Sequence, residues 1–350
     1  MRRRIIITEI LFIVPSLDVE RYKGLARFSY ELYKRIEKKF SVEIYEALKT
    51  KEYKSYLKAP FFIPFKVFSS KAKIVHYATP SQAVLPFFTR KKTIVTFHDF
   101  LPFELPKTAL KKEKIARLKA TIAWWMASKC NYIVSISSLT AKKVLEKYKR
   151  ESKIIPLGVD EKFKPMNVKK EKITLGFFAN FGYRKGFDLA LEVFKKVKQK
   201  YDVKFVVAGG KLESLYLKMF NVDKMIEGLN DVEVFGYIPE EKIVEFYNSF
   251  DFYLYTSRAE GFGLPILEAQ KCGIPTFVFS WAEIPKEVTE KAIKCENTED
   301  MANKIIELIE NKEKYEMIRR DSIEYANQFT WEKTAEEYGK IYEKILKGME

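Results

Sequence analysis

The chain has 350 residues, 47% hydrophobic and 31% charged, a balance that excludes a disordered protein and a length that predicts two domains. No apolar run reaches the roughly 18 residues needed to cross a bilayer. The three widely spaced cysteines (Cys130, Cys272, Cys295) and the two histidines (His76, His98) exclude a His/Cys metal centre and predict a reduced, cytoplasmic protein.

The formal charge of +16 is uneven: residues 1–165 carry +20 and residues 166–350 carry −4. A Lys-rich proteome explains abundant Lys and Glu together, but not why acids are scarce in one half only. The asymmetry points to an anionic partner for the first half: nucleic acid, anionic lipid or a phosphorylated glycan.

In chain order, "MRRRIIITEILFIVP" mimics a secretory leader, but Glu9 interrupts it and no small-residue cleavage site follows; it reads as a buried strand over 5–14. A helix at 24–39 follows. His76 ends an apolar run and is open to two readings, core or cleft-lining. Strand 93–98 ends at His98, strand 131–135 follows helix 107–128, and helix 138–148 comes next. The polar, Pro-containing stretch 160–172 is the expected join. Beyond it the pattern restarts: strand 173–178, helix 186–200, strand 203–209, helix near 211–229, strand 232–235, helix 239–249, strand 251–256, helix 264–272 and strand 274–279. From Trp331 a lone amphipathic helix runs to the end. Alternating short apolar runs and amphipathic stretches predict an α/β protein of two Rossmann-like, doubly wound parallel-sheet domains.

The most informative stretch is "SRAEGFGLPILEAQKCGIP" (257–275). A buried strand runs into Glu260. Gly261 and Gly263 permit backbone conformations that a side chain would obstruct. Pro265 suits a helix's first turn and Gly273 its C-terminal end. Such a strand–turn–helix lies at the carboxyl ends of a parallel sheet, where ligands bind, and the free N–H groups over Gly261, Phe262, Gly263 and Leu264 favour a phosphate. Glu260 and Glu268 bracket that site. Carboxylates do not bind phosphate, but they accept hydrogen bonds from sugar hydroxyls. The alternative is that both only complement a helix N-terminus.

Glu260 and Glu268 match the Glu–seven residues–Glu motif of the retaining GT-B glycosyltransferases, the family 4 or "group 1" type, and "EGFGLPILEAQKCGIP" resembles that family's stretch almost letter for letter. The resemblance extends to "CNYIVSISSLTAKKV" (130–144), "KIIPLGVDEKFKP" (153–165), "VEVFGYIPEEKIVEFYNSFDFYLYTS" (232–257) and "FTWEKTAEEY" (329–338). It implies the GT-B fold: an acceptor domain over 1–165, joined by a crossing helix at about 331–350, and a donor domain over 166–330, facing each other across a cleft.

The resemblance also assigns residues. "ITLGFFANFGYRKGFDLALEVF" (173–194) is similar to the family's diphosphate-binding strand, loop and helix, with Lys185 on the family's Lys and Asn180 where an Arg is usual. Asn180 brings no charge, and Arg184 is the neighbouring cation that could replace it. Glu260 would hold the donor sugar and Glu268 the ribose. His98 is similar to the histidine that contacts the donor sugar from across the cleft. "RYKGLARFSYEL" (21–32) resembles the family's first glycine loop, so Gly24 would let backbone approach phosphates or acceptor; a plain helix boundary is the competing reading. "FSWAEIPKEV" (279–288) departs from the family in carrying Lys286 where Glu follows the Pro.

The implied reaction is transfer from a nucleoside-diphosphate sugar to an acceptor hydroxyl with retained anomeric configuration and no metal ion. Basic stretches mixed with apolar residues, at 51–71 and 107–129, predict peripheral contact with an anionic membrane and a lipid-linked or anionic glycan acceptor. Rival readings are a sugar-nucleotide epimerase or phosphorylase, an inactive nucleotide-sugar-binding homologue motivated by Asn180, and a nucleic-acid binder motivated by the +20 half. No helix-turn-helix, RNP or zinc module supports the last, so no specific nucleic acid is expected.

Overall fold

The computed structural model describes residues 8–47, 54–100, 103, 111–179, 181, 183–209 and 222–348. The chain forms two compact units, residues 1–158 with 331–350, and residues 159–330.

In the first unit, strands β1 (Ile10–Val14), β2 (Val42–Glu46), β3 (Ile74–Tyr77), β4 (Lys92–Phe97), β5 (Tyr132–Ser135) and β6 (Lys153–Ile154) form one sheet in the order β2-β1-β3-β4-β5-β6. All its pairs are parallel. Every residue of Ile10–Val14 is buried, as a strand covered on both faces requires. One face, carrying Leu11, Ile13, Val75, Tyr77, Val95 and Phe97, packs against helices α2 (Lys54–Ser69), α3 (Lys111–Ala127) and α4 (Ser138–Tyr148) through Ile63, Val67, Ala127 and Val144. The other face carries Phe12, His76 and Thr96. It meets α1 (Val19–Ile36) and the C-terminal helix, Trp331–Leu346, through the rings of Phe28, Tyr338 and Tyr342.

The second unit repeats the plan with β7 (Ile173–Phe178), β8 (Val203–Ala208), β9 (Val232–Phe235), β10 (Phe252–Leu254), β11 (Thr276–Phe279) and β12 (Ile293–Cys295). Their order is β12-β11-β10-β7-β8-β9, again all parallel. Helices α5 (Phe187–Lys198) and Thr298–Glu310 cover one face around Phe177, Val193, Phe194 and Phe205. From β7 the chain winds outward to β8 and β9, then returns to place β10 on the other side of β7. The reversal leaves a switch point between the carboxyl ends of β7 and β10, where an open α/β sheet offers a binding crevice.

Several sequence expectations are corrected. The first unit ends at Gly158, not at 165. Residues after it are tied to the second unit: the Val159 N–H donates to the Phe329 carbonyl, Lys162 pairs with Glu240, and the Met166 N–H donates to Asn248. The first strand begins at Ile10, and residues 1–7 lie outside the described residues. Most of the expected helix near 211–229 also lies outside them; its end is helix α6 (Val222–Ile226), and the expected helix 239–249 is α7 (Ile243–Asn248). The helix expected from 24 starts at Val19, because Ser16 and Glu46 hold the backbone N–H groups of Asp18 and Leu17 just before it. Gly24 is therefore inside α1 rather than in a loop. It is exposed, and a side chain there would meet nothing within 4 Å.

Candidate active site

Two loops meet at the switch point. After β7 the chain passes through a single 3-10 turn, Tyr183–Lys185, and enters α5 at Gly186. Gly186 has φ +68°, and a Cβ there would lie 2.2 Å from the Thr256 carbonyl oxygen, so this turn fits against the end of β10 only because residue 186 has no side chain. The Thr256 hydroxyl donates to the Gly186 carbonyl at 2.7 Å, and the Arg258 N–H donates to the Arg184 carbonyl at 2.7 Å. After β10 the chain turns through 257–263. Gly263, with φ +103°, opens helix α8 (Leu264–Lys271), and Pro265 occupies its first turn.

The turns bring three charged side chains together. Glu260 is nearly buried, its side chain 9% exposed. One oxygen accepts from Lys185 Nζ at 2.5 Å and from the Ser257 hydroxyl at 2.5 Å. The other lies 2.8 Å from Arg184 Nη1, which also donates to the Ala259 carbonyl at 2.8 Å. Burial pushes the Glu260 carboxyl up, but the Lys185 ammonium, the Arg184 guanidinium and the hydrogen bonds from Lys185 and Ser257 outweigh it and hold the group down at about 2. Burial pulls the Lys185 ammonium below its ordinary range; Glu260 opposes this and Arg184 adds to it.

Glu268, the second acid of the motif, sits in α8 and is buried. Its carboxylate accepts from the Tyr247 hydroxyl at 2.8 Å, and burial, then the Glu268 charge, raise that phenol well above its ordinary value. Phe262 is buried against Phe329, and Gly261 and Leu264 complete the turn. The segment 279–288 backs this turn: the Glu260 N–H donates to the Glu283 carbonyl, and the Glu283 N–H donates to the Arg258 carbonyl, each at 2.9 Å.

The structure thus gathers Arg184, Lys185, Glu260, Gly261, Phe262, Gly263, Leu264 and Glu268 in the loops and helix at the ends of β7 and β10. Asn180 lies outside the described residues. His98 and Gly24 belong to the first unit. His98 is buried at the end of β4, its Nε2 donating to the Ala78 carbonyl at 2.9 Å, its ring edge-on to Phe28. Burial lowers its basicity, against the pull of the Ala78 carbonyl, to about 4. His76 is a core residue and lines no cleft. Its Nδ1 pairs with the Tyr342 hydroxyl at 2.7 Å, its Nε2 with the Thr96 hydroxyl at 3.0 Å, and Phe12 stacks on its ring.

Three residues that sequence reasoning passed over shape the site: Ser257, Tyr247 and Arg258. The Arg258 guanidinium lies 4.0 Å over the Tyr183 ring and grips both oxygens of Asp188, at 2.8 and 3.2 Å, pinning the Lys185 turn to the acid turn. Only Ser257 and Arg258 carried a local signal, their place between strand end and glycine turn. A groove of about 840 Å³ elsewhere in this unit, lined by Lys204, Phe235, Tyr237 and Phe246, contains none of the motif residues. Among the described residues no group of His, Cys, Asp and Glu could hold a metal ion.

Two units, each built on a six-stranded parallel sheet, with a glycine turn, acids and cations at the switch point of the second, define a two-domain, Rossmann-like α/β protein. Comparison with known proteins narrows this. The family described as "Glycosyl transferases group 1" matches residues 158–325, and "Glycosyltransferase Family 4" matches 22–163. A relative from Methanocaldococcus jannaschii, described as the uncharacterized glycosyltransferase MJ1178, is 24% identical over 95% of this chain and 98% of its own length. The O-antigen chain mannosyltransferase B of Escherichia coli is 28% identical over 29% of this chain and 27% of its own length. Among solved structures, Anabaena Alr3699/HepE in complex with UDP-glucose has a TM-score of 0.73 at 16% identity, covering 95% of this chain and 98% of its own. Sucrose-phosphate synthase from Thermosynechococcus elongatus has 0.74 at 15%, covering 97% and 100%. The chain belongs to the GT-B glycosyltransferases of the group 1 type.

Proposed function

We propose that this glycosyltransferase moves a sugar from a nucleoside diphosphate to an acceptor hydroxyl with retention of anomeric configuration, without a metal ion. The observation that carries the reading is the buried cluster of Lys185, Arg184 and Glu260 beside the start of α8. Two cations and the N–H groups of a helix start supply the positive field that a leaving diphosphate needs. In the transfer, the bond from the anomeric carbon to the phosphate oxygen breaks and the acceptor oxygen bonds on the same face. The acceptor's proton passes to the departing phosphate oxygen. Lys185 and Arg184 stabilise that oxygen, Glu260 holds the sugar hydroxyls, and Glu268 holds the ribose. On binding, the diphosphate takes over the two cations that pair with Glu260 in the unliganded protein.

The acceptor is proposed to be a lipid-linked or anionic glycan at a membrane surface. Supporting this, relatives over part of the chain include the E. coli O-antigen mannosyltransferase and the phosphatidylinositol N-acetylglucosaminyltransferase gpi3 subunit of Schizosaccharomyces pombe, 24% identical over 62% of this chain and 50% of its own length. Calorimetric titration with UDP, GDP and ADP in EDTA tests the donor reading. Binding of one nucleotide without metal, weakened by Glu268→Ala, supports it and names the base. Binding of none, or only on adding a divalent cation, overturns it.

A further inference from the structure

In the first unit, α2 and α3 bury one side against the sheet and leave the other side apolar and exposed. On α2, Ile63 and Val67 are buried, whereas Phe65 and Phe68 are 71% and 63% exposed. On α3, Leu118, Ile122 and Trp125 recur three and four residues apart, the spacing of one helical face, and all three are exposed. Both helices pack against the short turn Pro80–Gln82. The next turn, Pro86–Phe88, adds Phe88, 63% exposed, and Phe87, whose ring meets Trp125 at 6.4 Å. The lead-in residue Leu85 is held in the left-handed region, φ 50°, a strained conformation for a residue with a side chain. The outer sides of these neighbouring elements are thus far richer in large apolar side chains than isolated exposed residues account for.

The two segments that carry these helices are strongly basic in sequence. The segments 51–71 and 107–129 contain 12 Lys and Arg against 2 Glu. Lys71, Arg90, Lys119 and Lys129 are exposed, and Lys129 Nζ lies 5.3 Å over the Trp125 ring. A second copy of the chain would bring the same positive charge against itself. An anionic lipid surface is attracted by the cations and takes the aromatic side chains at its interface, while long basic side chains reach back to the headgroups. No helix among the described residues is long and apolar enough to cross a membrane, so the contact is one of lying on the surface.

We infer that the face formed by α2, the Pro86–Phe88 turn and α3 docks on an anionic lipid bilayer, with Phe65, Phe68, Phe88 and Trp125 entering the interface. The inference gives the proposed membrane-bound acceptor its docking surface and rests on that reading. It is tested by flotation of the full chain with phosphatidylcholine vesicles, with and without phosphatidylglycerol, at low and at moderate salt. The wild type is expected to float with the anionic vesicles and to remain partly bound at moderate salt. The combined substitution Phe65→Ser, Phe68→Ser and Phe88→Ser, all on exposed positions, is expected to weaken that binding at least about tenfold with thermal unfolding unchanged. Trp125→Phe is expected to remove the vesicle-induced blue shift of tryptophan emission while leaving binding in place.

No flotation of the wild type overturns the inference. So does flotation of the triple variant equal to the wild type, which leaves charge alone as the cause. A wild type that self-associates and ignores vesicles, with the triple variant monomeric, assigns the face to a second copy instead. Nucleotide binding measured on the same samples separates the claims: vesicle binding without nucleotide binding keeps the surface and removes the donor reading, and the reverse removes only the surface.

Discussion

Lys185 and Glu260, 75 positions apart in sequence, meet at 2.5 Å between Nζ and Oε1, and Arg184 takes the other carboxylate oxygen at 2.8 Å. The unliganded site therefore engages both cations with a single carboxylate, leaving the cluster a net positive charge. This makes the two binding tasks separable. Glu260→Gln frees both cations for diphosphate and replaces the charged acceptor proposed for the sugar hydroxyls with a neutral amide oxygen. The nucleotide diphosphate alone is expected to bind as tightly or tighter, while glycosyl transfer falls by about a hundredfold, roughly 2.7 kcal/mol. Calorimetry and initial rates on the same variant check both signs. Weaker nucleotide binding would show that Glu260 contacts the nucleotide itself.

Arg184 is the cation next to Lys185, in a chain where position 180 is Asn. Arg184→Gln is expected to weaken the diphosphate about tenfold and leave the monophosphate of the same nucleoside unchanged. Arg184→Lys is expected to recover only part, since Lys keeps the charge but not the planar fork. Equal losses for mono- and diphosphate would assign Arg184 to holding the turn through the Ala259 carbonyl instead.

The depressed Glu260 group fixes a pH window. Its folded value of about 2 lies below the ordinary 4.5, so its contribution is complete above about 4.5 and is lost as pH falls through about 2. Burial of the Lys185 ammonium, pulled below its ordinary range, offsets part of that contribution. Urea unfolding should show the wild type more stable than Glu260→Gln at pH 7, with the gap narrowing between pH 4.5 and 2. A gap independent of pH would mean the substitution acts through packing.

Gly186 and Gly228 both have positive φ, but only Gly186 is crowded: the Thr256 carbonyl would lie 2.2 Å from its Cβ, whereas nothing lies within 4 Å of Gly228. Gly228→Ala should cost about 1 kcal/mol from backbone strain alone. Gly186→Ala should cost at least twice that and abolish nucleotide binding, because relief of the clash moves the Lys185 turn off β10. Equal costs in denaturant unfolding would remove the close-approach argument.

The contrast shows what a sequence carries. The glycine turn at 261–263 and the helix from Leu264 were legible because Gly and Pro constrain their own backbone. The buried strands at the centre of each sheet were legible because strands buried on both faces read as continuous apolar runs, whereas β2, β6 and β12, half-buried or exposed, carried no such run. Partnerships between distant side chains were not: Arg258 with Asp188, or Tyr247 with Glu268, depend on which loops the fold brings together. Gly24 was misplaced because the start of α1 is set by Ser16 and by Glu46 from the neighbouring strand. His76 was ambiguous because its partners Tyr342 and Thr96 lie on a helix and a strand far from it in sequence.

The two histidines are the only ones in the chain, and both are buried and held neutral, His76 down to about 3 and His98 to about 4, burial being the main cause in each. An unfolded histidine binds a proton near 6.5, so below that pH the unfolded state gains protons that the folded state refuses. Stability from these groups is complete above about 6.5 and is lost as pH falls towards 4 and 3. At pH 5 the loss is about 2 kcal/mol for each histidine. Denaturant unfolding of the first unit's transition at pH 7.5 and pH 5 should show a drop of about 4 kcal/mol in the wild type. His76→Gln should lower stability at pH 7.5, since it breaks the pairing with Tyr342 and Thr96, yet halve the drop on acidification. An undiminished drop in that variant would place the acid sensitivity on carboxylates rather than on the buried imidazole.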